Sequence, residues 1–378
     1  MSSSPDQQPA SEQQADPLPA PAPVSPQPTS PRPAGPRLHP WALAIGGVVV
    51  ALVLQMCFIG SYTGALHDPH PRQALPFGIV APEQVQAALI QQIDDAAASG
   101  IIDPRSIDSS ENLHRQIGER DVDGGLVIDA NGATLILADA AGPFVSTVLT
   151  TFTQQIASAQ NLQLVIEHES RVSGGDPRAL TMVYLVFGWV FGGYFCATVL
   201  ATLRGYSFLN RQMVLLRLLL LAGYAVCSGI AGAVLVGPVI GAIDGHFWSM
   251  MLAGTLVVFA VAVSTMAVQI LLGLVGTVVV LIAFVMIGNP SAGGVAPLEF
   301  LPSFWRAIGP WLPNWAGFTL VRNLVYFDGN DINRALAVLA GYAIVGVVIL
   351  LAWGPRPRAF AAFPSDPEAE LATAAAAA

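Results

Sequence analysis

The run from Phe247 to Gly288 constrains the fold of this chain more than any other feature, because its 42 residues include no ionisable side chain. As one α-helix it would be about 63 Å long, roughly twice the ~30 Å hydrocarbon core of a bilayer. The run therefore predicts two membrane spans joined by a turn. The polar residues Ser264, Thr265 and Gln269 are the expected place for that turn.

Four further apolar runs, at residues 41–62, 179–203, 218–243 and 335–353, bring the expected number of spans to six. Charged residues make up 11% of the chain, against about 25% in soluble proteins. We therefore expect a polytopic α-helical membrane protein with six transmembrane helices. An extracytoplasmic α/β domain is expected between the first and second spans, and residues 179–353 then form a five-helix transmembrane domain.

Residues 63–178 hold the one long stretch with the pattern of a water-soluble domain. Alternating and short apolar runs predict strands at 75–80, 125–129, 133–138 and 162–166. Helical periodicity predicts helices at 83–99, 111–117 and 143–160. The pair Asn131-Gly132 is a strong hairpin signal between two of the strands, so we expect a compact α/β domain.

We expect the chain to cross the plasma membrane six times. Both of its ends are then expected to lie in the cytoplasm. Residues 1–40 contain twelve prolines and predict a disordered tail; residues 354–378 form a second tail. Arginines before the first span, after the second and after the sixth share one side, which the positive-inside rule makes cytoplasmic. Four arginines oppose this orientation: Arg178, Arg306, Arg322 and Arg334.

Composition excludes several classes of activity. All 16 basic residues are arginine, so a P-loop and a Schiff-base enzyme both lack their lysine. A net charge of −9 argues against nucleic-acid binding, which requires neutralisation of phosphates. No catalytic motif or metal-ligand set is present, and we therefore expect no enzyme activity, no cofactor and no metal.

The segment at 289–330 combines prolines, tryptophans and an arginine, which is typical of the membrane interface. It predicts two short interfacial or re-entrant helices at about 302–308 and 314–326 on the outer side. An ordinary loop with an aromatic belt is the alternative. The candidate interfacial residues are Pro302, Trp305, Arg306, Pro310, Trp311, Pro313 and Trp315.

The order of these parts resembles the type-2 ABC exporter permeases, and within them the phage-infection-protein-like (YhgE/Pip-like) branch. The resemblance covers residues 41–353. It is carried by four stretches: residues 61–69 (SYTGALHDP), 75–80 (LPFGIV), 288–294 (GNPSAGG) and 301–305 (LPSFW). The predicted domain is much shorter than in phage-infection proteins, so a phage-receptor role does not carry over.

The resemblance implies a membrane permease subunit that exports a lipid-like or amphipathic substrate with a separate cytoplasmic ATP-binding subunit. It implies contact with membrane lipid and a homodimer or a paired permease. The loop after the second span would then couple to the ATPase, through Arg204, Arg211 and Gln212. The alternative function is a non-transporting membrane scaffold or receptor, or an accessory protein of a secretion system.

Overall fold

A computed structural model describes residues 40–66, 70–95, 100–130, 132–169, 176, 180–204 and 211–353. For residues 40–47, 50, 51 and 204 it describes the backbone alone. The two predicted tails, except for Pro40, and the loop at 205–210 lie outside the described residues. Residues from Leu52 onward form one compact unit, and all packing described below lies within it.

A five-stranded mixed sheet with three helices follows the first helix, α1 (Pro40–Leu66). The strands are β1 (Leu75–Val80), β2 (Ile102–Ser106), β3 (Gly124–Asp129), β4 (Gly132–Ala138) and β5 (Leu164–Glu169). The helices between them are α2 (Glu83–Asp95), α3 (Ser110–Glu119) and α4 (Pro143–Ala159). We call β1 to β5 with α2 to α4 the sheet domain.

The strand order is β2-β1-β3-β4-β5. β1 pairs in parallel with β2 and β3, β3 pairs antiparallel with β4, and β4 pairs in parallel with β5. Apolar side chains of β1, α3 and α4 meet in the core, among them Phe77, Leu113 and Leu149, all fully buried. The helices therefore cover the sheet from both sides, since neighbouring residues of β1 and β3 face opposite layers.

The second half of the chain is helical. Its helices are α5 (Thr181–Arg204), α6 (Arg211–Val234), α7 (Phe247–Leu272), α8 (Leu274–Val280), α9 (Ser303–Ile308), α10 (Pro313–Tyr326) and α11 (Asn333–Trp353). π-helical turns, Leu235–Val239 and Leu281–Ile287, extend α6 and α8. Short 3-10 turns occupy Asp139–Ala141, Pro290–Ala292, Leu298–Phe300 and Gly309–Trp311.

Four of the described helices are long and apolar enough to cross a membrane: Thr181–Leu203, Arg211–Val239, Phe247–Leu272 and Asn333–Trp353. The segments Leu52–Leu66 and Leu274–Ile287 are apolar but shorter. The chain is thus mostly helical, with four candidate membrane-spanning helices and a small mixed sheet.

α7 is the central helix of the bundle and packs against α5, α6, α10 and α11. The Trp189 ring of α5 approaches α6 and α7 closely, because Gly232 of α6 and Gly254 of α7 have no side chain at the points of contact. A Cβ on Gly232 would lie 2.6 Å from that ring, and a Cβ on Gly254 would lie 2.4 Å from it. The outward faces of α5, α6 and α11 expose large apolar side chains, as expected for helices in contact with lipid.

The predicted turn at Ser264, Thr265 and Gln269 is wrong. α7 continues through all three residues, and the break comes at Gly273, whose φ of 61° and ψ of −136° suit glycine. The polar groups bond within the bundle instead. Thr265 Oγ1 donates to the carbonyl oxygen of Val261 four residues earlier at 2.7 Å, which leaves the helix intact.

The sheet domain and the helices share one apolar core. Ala296, Phe300, Leu301 and Phe327 belong to the same buried cluster as β1, α3 and α4. The Phe144 ring of α4 lies 5.7 Å from the Phe300 ring. The segment between α8 and α11 is therefore where the sheet domain is attached.

Candidate functional site at the junction of sheet and helices

α10 is a short helix inserted among longer ones. Its fourteen residues span about 21 Å, less than the ~30 Å core of a bilayer. Pro313 occupies its first turn, where a missing N–H costs nothing. Eleven of its residues are buried, and it packs against α5, α7 and α11. The predicted helix at 314–326 is thus present, in a buried position.

A buried asparagine fixes the first turn of α10. Asn314 is 0% exposed, and its Nδ2 donates to Phe284 O at 2.8 Å and to Asn289 Oδ1 at 2.6 Å. The Phe284 carbonyl lies in the π-helical turn that follows α8. Asn314 therefore ties α10 to the end of that turn.

A second buried asparagine fixes the last turn of α10 to the sheet domain. Asn323 is 0% exposed, and its Nδ2 donates to Asn330 O at 2.8 Å and Asp331 O at 3.1 Å. Its Oδ1 accepts from Arg120 Nη1 at 2.8 Å. Arg120 caps α3 in the left-handed conformation, with φ 66°. One side chain thus joins α3, α10 and the turn before α11.

Charged side chains gather in a cavity of ≈ 170 Å³ at this junction. The sheet domain contributes Arg120 and Asp123, α10 contributes Arg322, and the flanking segments contribute Glu299 and Asp331. A polar cavity of this size accommodates several water molecules. We call it the junction cavity.

Arg322 is buried in the wall of the junction cavity. Its guanidinium carbon lies 5.0 Å from the centre of the Phe318 ring, and its Nε has no hydrogen-bond partner among the described residues. Burial lowers the pKa of Arg322 to about 9, and the positive charge of Arg120 acts in the same direction. The carboxylates of Glu299 and Asp123 oppose that shift.

Asp123 faces the same cavity from the sheet domain. Loss of hydration raises the pKa of its carboxyl group from the ordinary value to about 6, and Glu299 adds to the rise. Arg120, Arg322 and Arg105 lower this pKa. A carboxyl group with this pKa can hold or release a proton near neutral pH.

The predicted interfacial residues divide between two environments. Trp305 of α9 packs on α1, where its Nε1 donates to Ser61 Oγ at 3.3 Å and a Cβ on Gly64 would lie 3.0 Å from its ring. Arg306 Nη1 donates to Arg72 O at 3.2 Å, next to the start of the sheet domain. Pro302 precedes α9, and Pro310 and Pro313 are buried.

Trp311 and Trp315 lie on the other side of the segment, beside Arg334. The Arg334 guanidinium carbon is 5.6 Å from the centre of the Trp311 ring and 5.3 Å from that of Trp315. This stacking joins the start of α11 to the residues that lead into α10.

The predicted coupling residues lie at the opposite ends of the helices. Arg211 and Gln212 are exposed in the first turn of α6. Arg204 ends α5 and its side chain is outside the described atoms. α5 has 24 residues and is about 36 Å long, and its start contacts the α9–α10 side, where Val183 lies beside Gly294. The end of α5, and the start of α6 that packs beside it, are therefore far from the junction cavity.

Sequence reasoning missed the polar residues of the junction: Arg120, Asp123, Asn289, Asn314, Arg322 and Asn323. Arg322 and Asn323 did offer a signal, because they interrupt an otherwise apolar helix. Arg120 and Asp123 gave no such signal, because they belong to a polar turn whose sequence predicts an exposed loop.

No family model matches the sequence, and no curated protein or solved structure is significantly similar to it.

Proposed function

We propose that this chain is the membrane permease subunit of a type-2 ABC-like exporter. It moves a lipid-like or amphipathic substrate outward, and a separate cytoplasmic subunit hydrolyses ATP. The observation that carries the proposal is the buried helix α10, which at about 21 Å is shorter than the core of a bilayer. A helix too short to cross the bilayer, packed between three long ones, is suited to closing one end of a substrate path.

The two ends of the bundle suit different tasks. The sheet domain packs on the α9–α10 side, where α5 begins, and the start of α6, with Arg211 and Gln212, lies beside the other end of α5. In the proposed orientation the first end is extracytoplasmic and the second is cytoplasmic, so an ATPase docks at the α5–α6 connection. α1 and the segment Leu274–Ile287 then complete six spans in the plasma membrane, and both termini are cytoplasmic.

The composition of α5, α7 and α8 favours an apolar cargo, although α6 has Arg211 and Arg217. α5, α7 and α8 carry no ionisable carboxylate, histidine or lysine, and Arg204 is their one cation. Ion-coupled carriers need ionisable groups within the membrane. A groove of ≈ 280 Å³ between α6 and α7 is lined by apolar groups such as Val226, Leu256 and Phe259. A path for amphipathic substrate between two copies, or between paired permeases, is consistent with such surfaces.

The direct test is purification of the chain in mild detergent with its native partners, followed by an ATPase assay. We expect a stoichiometric nucleotide-binding subunit whose hydrolysis depends on this chain. The double variant Arg204→Glu/Arg211→Glu should lose that subunit by charge reversal at the coupling loop. Arg105→Glu, on the exposed surface of the sheet domain, is the matched control and should retain it. Recovery of the chain with no nucleotide-binding partner would contradict the proposal.

The second candidate function is a non-transporting scaffold or receptor, and strand β5 favours it. β5 is an edge strand, and it exposes Val165 by 61% and Ile166 by 36%. An exposed edge with apolar side chains is a template for adding a strand of another protein. Under this alternative, Val165→Asp abolishes capture of a protein partner, and the charge reversal at the coupling loop has no effect.

A further inference from the structure

An apolar groove runs along α11 on the outside of the bundle. Its wall is the stripe Val338, Gly341, Tyr342 and Val345, which recurs at the three- and four-residue spacing of one helix face. Its volume is ≈ 510 Å³, within the ~300–1,000 Å³ range of small-molecule sites. Gly341 leaves the middle of the groove open, because a Cβ there would meet nothing within 4 Å.

One end of the groove carries a cation held by two aromatic rings. The Arg334 guanidinium lies within cation–π distance of both Trp311 and Trp315, and Arg334 is exposed. Within the described part of the chain no carboxylate lies at salt-bridge distance from it. The indole rings accept no conventional hydrogen bond, so they leave the guanidinium N–H groups of Arg334 available to bind a phosphate through two hydrogen bonds.

The groove has the length of one leaflet. The eleven helical steps from Arg334 to Val345 rise about 16 Å, and half of a ~30 Å hydrocarbon core is about 15 Å. Trp311, which is 66% exposed, lies at the same end as Arg334, and tryptophan favours the headgroup level of a bilayer. In a bilayer, Arg334 would therefore lie at the level of the lipid phosphates, and the apolar wall of the groove would lie at the level of the acyl chains.

We propose that this groove binds one anionic phospholipid, with the phosphate on Arg334 and an acyl chain along Gly341 and Val345. The proposal goes beyond the exporter function and does not depend on it, since a scaffold with the same helix would bind the same lipid. Charge complementarity at one end and the leaflet-length apolar wall together select a lipid over a peptide or a soluble anion.

The test is native mass spectrometry of the full chain in detergent during titration with phosphatidylglycerol, and separately with phosphatidylcholine. We expect one phosphatidylglycerol molecule to bind more tightly than the rest and more tightly than phosphatidylcholine. Arg334→Gln should weaken that site about tenfold, which corresponds to about 1.4 kcal/mol. Arg211→Gln removes an exposed cation from the other end of the bundle and should leave the site unchanged.

A second variant tests the groove without changing charge. Gly341→Leu fills the open space and should remove the tight site with Arg334 intact. Gly223→Leu is its matched control, because Gly223 of α6 also faces open space. Equal lipid binding by the wild type, Arg334→Gln and Gly341→Leu would overturn the proposal, and so would equal affinity for the two lipids. Loss of a dimer in Gly341→Leu, with lipid binding unchanged, would assign the groove to a second copy and overturn it too.

Discussion

At the scale of single residues, the junction cavity is unusual because Arg322 is buried beside carboxylates with which it forms no ion pair. Among the described residues no carboxylate lies at salt-bridge distance from Arg322, although Asp123 and Glu299 line the same cavity. A buried charge without a hydrogen-bonded partner is costly. The shifts in pKa of both Asp123 and Arg322 express that cost.

Asp123 should make stability depend on pH. Its pKa rises from about 3.9 in the unfolded chain to about 6 in the folded one, so the folded state binds the proton more tightly. The contribution to the free energy of unfolding is complete below pH ~4 and is lost as pH rises through ~6, by at most about 3 kcal/mol. Thermal unfolding in detergent between pH 4.5 and 7.5 measures it. Relative to Asp123→Asn, the wild type should lose stability across that range.

Other titrating groups cancel in this comparison, because both proteins contain them. Asp121→Asn is the control, since Asp121 is an exposed carboxylate of the same turn. Its pH profile should run parallel to that of the wild type. If Asp123→Asn also ran parallel to the wild type, the carboxyl group of Asp123 would not be desolvated as the structure indicates.

At the scale of elements, local pattern was sufficient for most of the sheet domain. The strands at β1, β3 and β4 and helices α2 to α4 were predicted from periodicity close to their observed bounds. β2 was missed because its sequence, Ile102–Ser106, contains Pro104 and two charged residues and only Ile102 is buried. It is an edge strand, where proline and charge are tolerated.

The break after α7 was misplaced for a related reason. Polarity alone does not end a helix when hydroxyl groups can bond to carbonyls of the preceding turn, as Thr265 does. Gln269 Nε2 bridges Thr198 and Thr277 at 3.0 Å each, so it joins two helices. The residue that does end α7 is Gly273, which adopts a positive φ.

Gly273→Ala should therefore destabilise the bundle. An alanine at φ 61° and ψ −136° is strained by about 1–3 kcal/mol. Gly223→Ala is the matched control, because Gly223 is helical with open space around it, and alanine favours the helix there. Thermal unfolding of the two variants should separate them, with Gly273→Ala lower than the wild type and Gly223→Ala equal or higher. Equal midpoints would show that the α7–α8 break relaxes without glycine.

At the scale of the whole molecule, the junction could not have been predicted from one sequence. The bond from Arg120 to Asn323 joins residues 203 positions apart, and no periodicity relates them. The apolar content of the spans was readable because it is a local property. The pairing of a polar turn in the sheet domain with a polar end of α10 depends on how the two parts pack together.

That pairing should couple the stability of the sheet domain to the stability of the helical part. Asn323→Ala removes the acceptor of Arg120 and the donor to the carbonyls of Asn330 and Asp331, for a cost of about 2–3 kcal/mol. A double-mutant cycle with Arg120→Ala isolates the Arg120–Asn323 bond, and we expect a coupling energy of about 1.5 kcal/mol, because one partner is charged.

The pair Arg115 and Asn112 provides the comparison for that cycle, since it is also an arginine–asparagine bond but lies on the exposed surface of α3. Its coupling energy should stay below about 0.5 kcal/mol. Hydrogen exchange locates the effect: in Asn323→Ala, amides of both α3 and α10 should exchange faster, whereas Asn112→Ala should affect α3 alone. Faster exchange confined to α10 would mean that apolar contacts through Phe300 and Phe327 hold the sheet domain in place. The hydrogen bond from Arg120 to Asn323 would then contribute little to the free energy of that attachment.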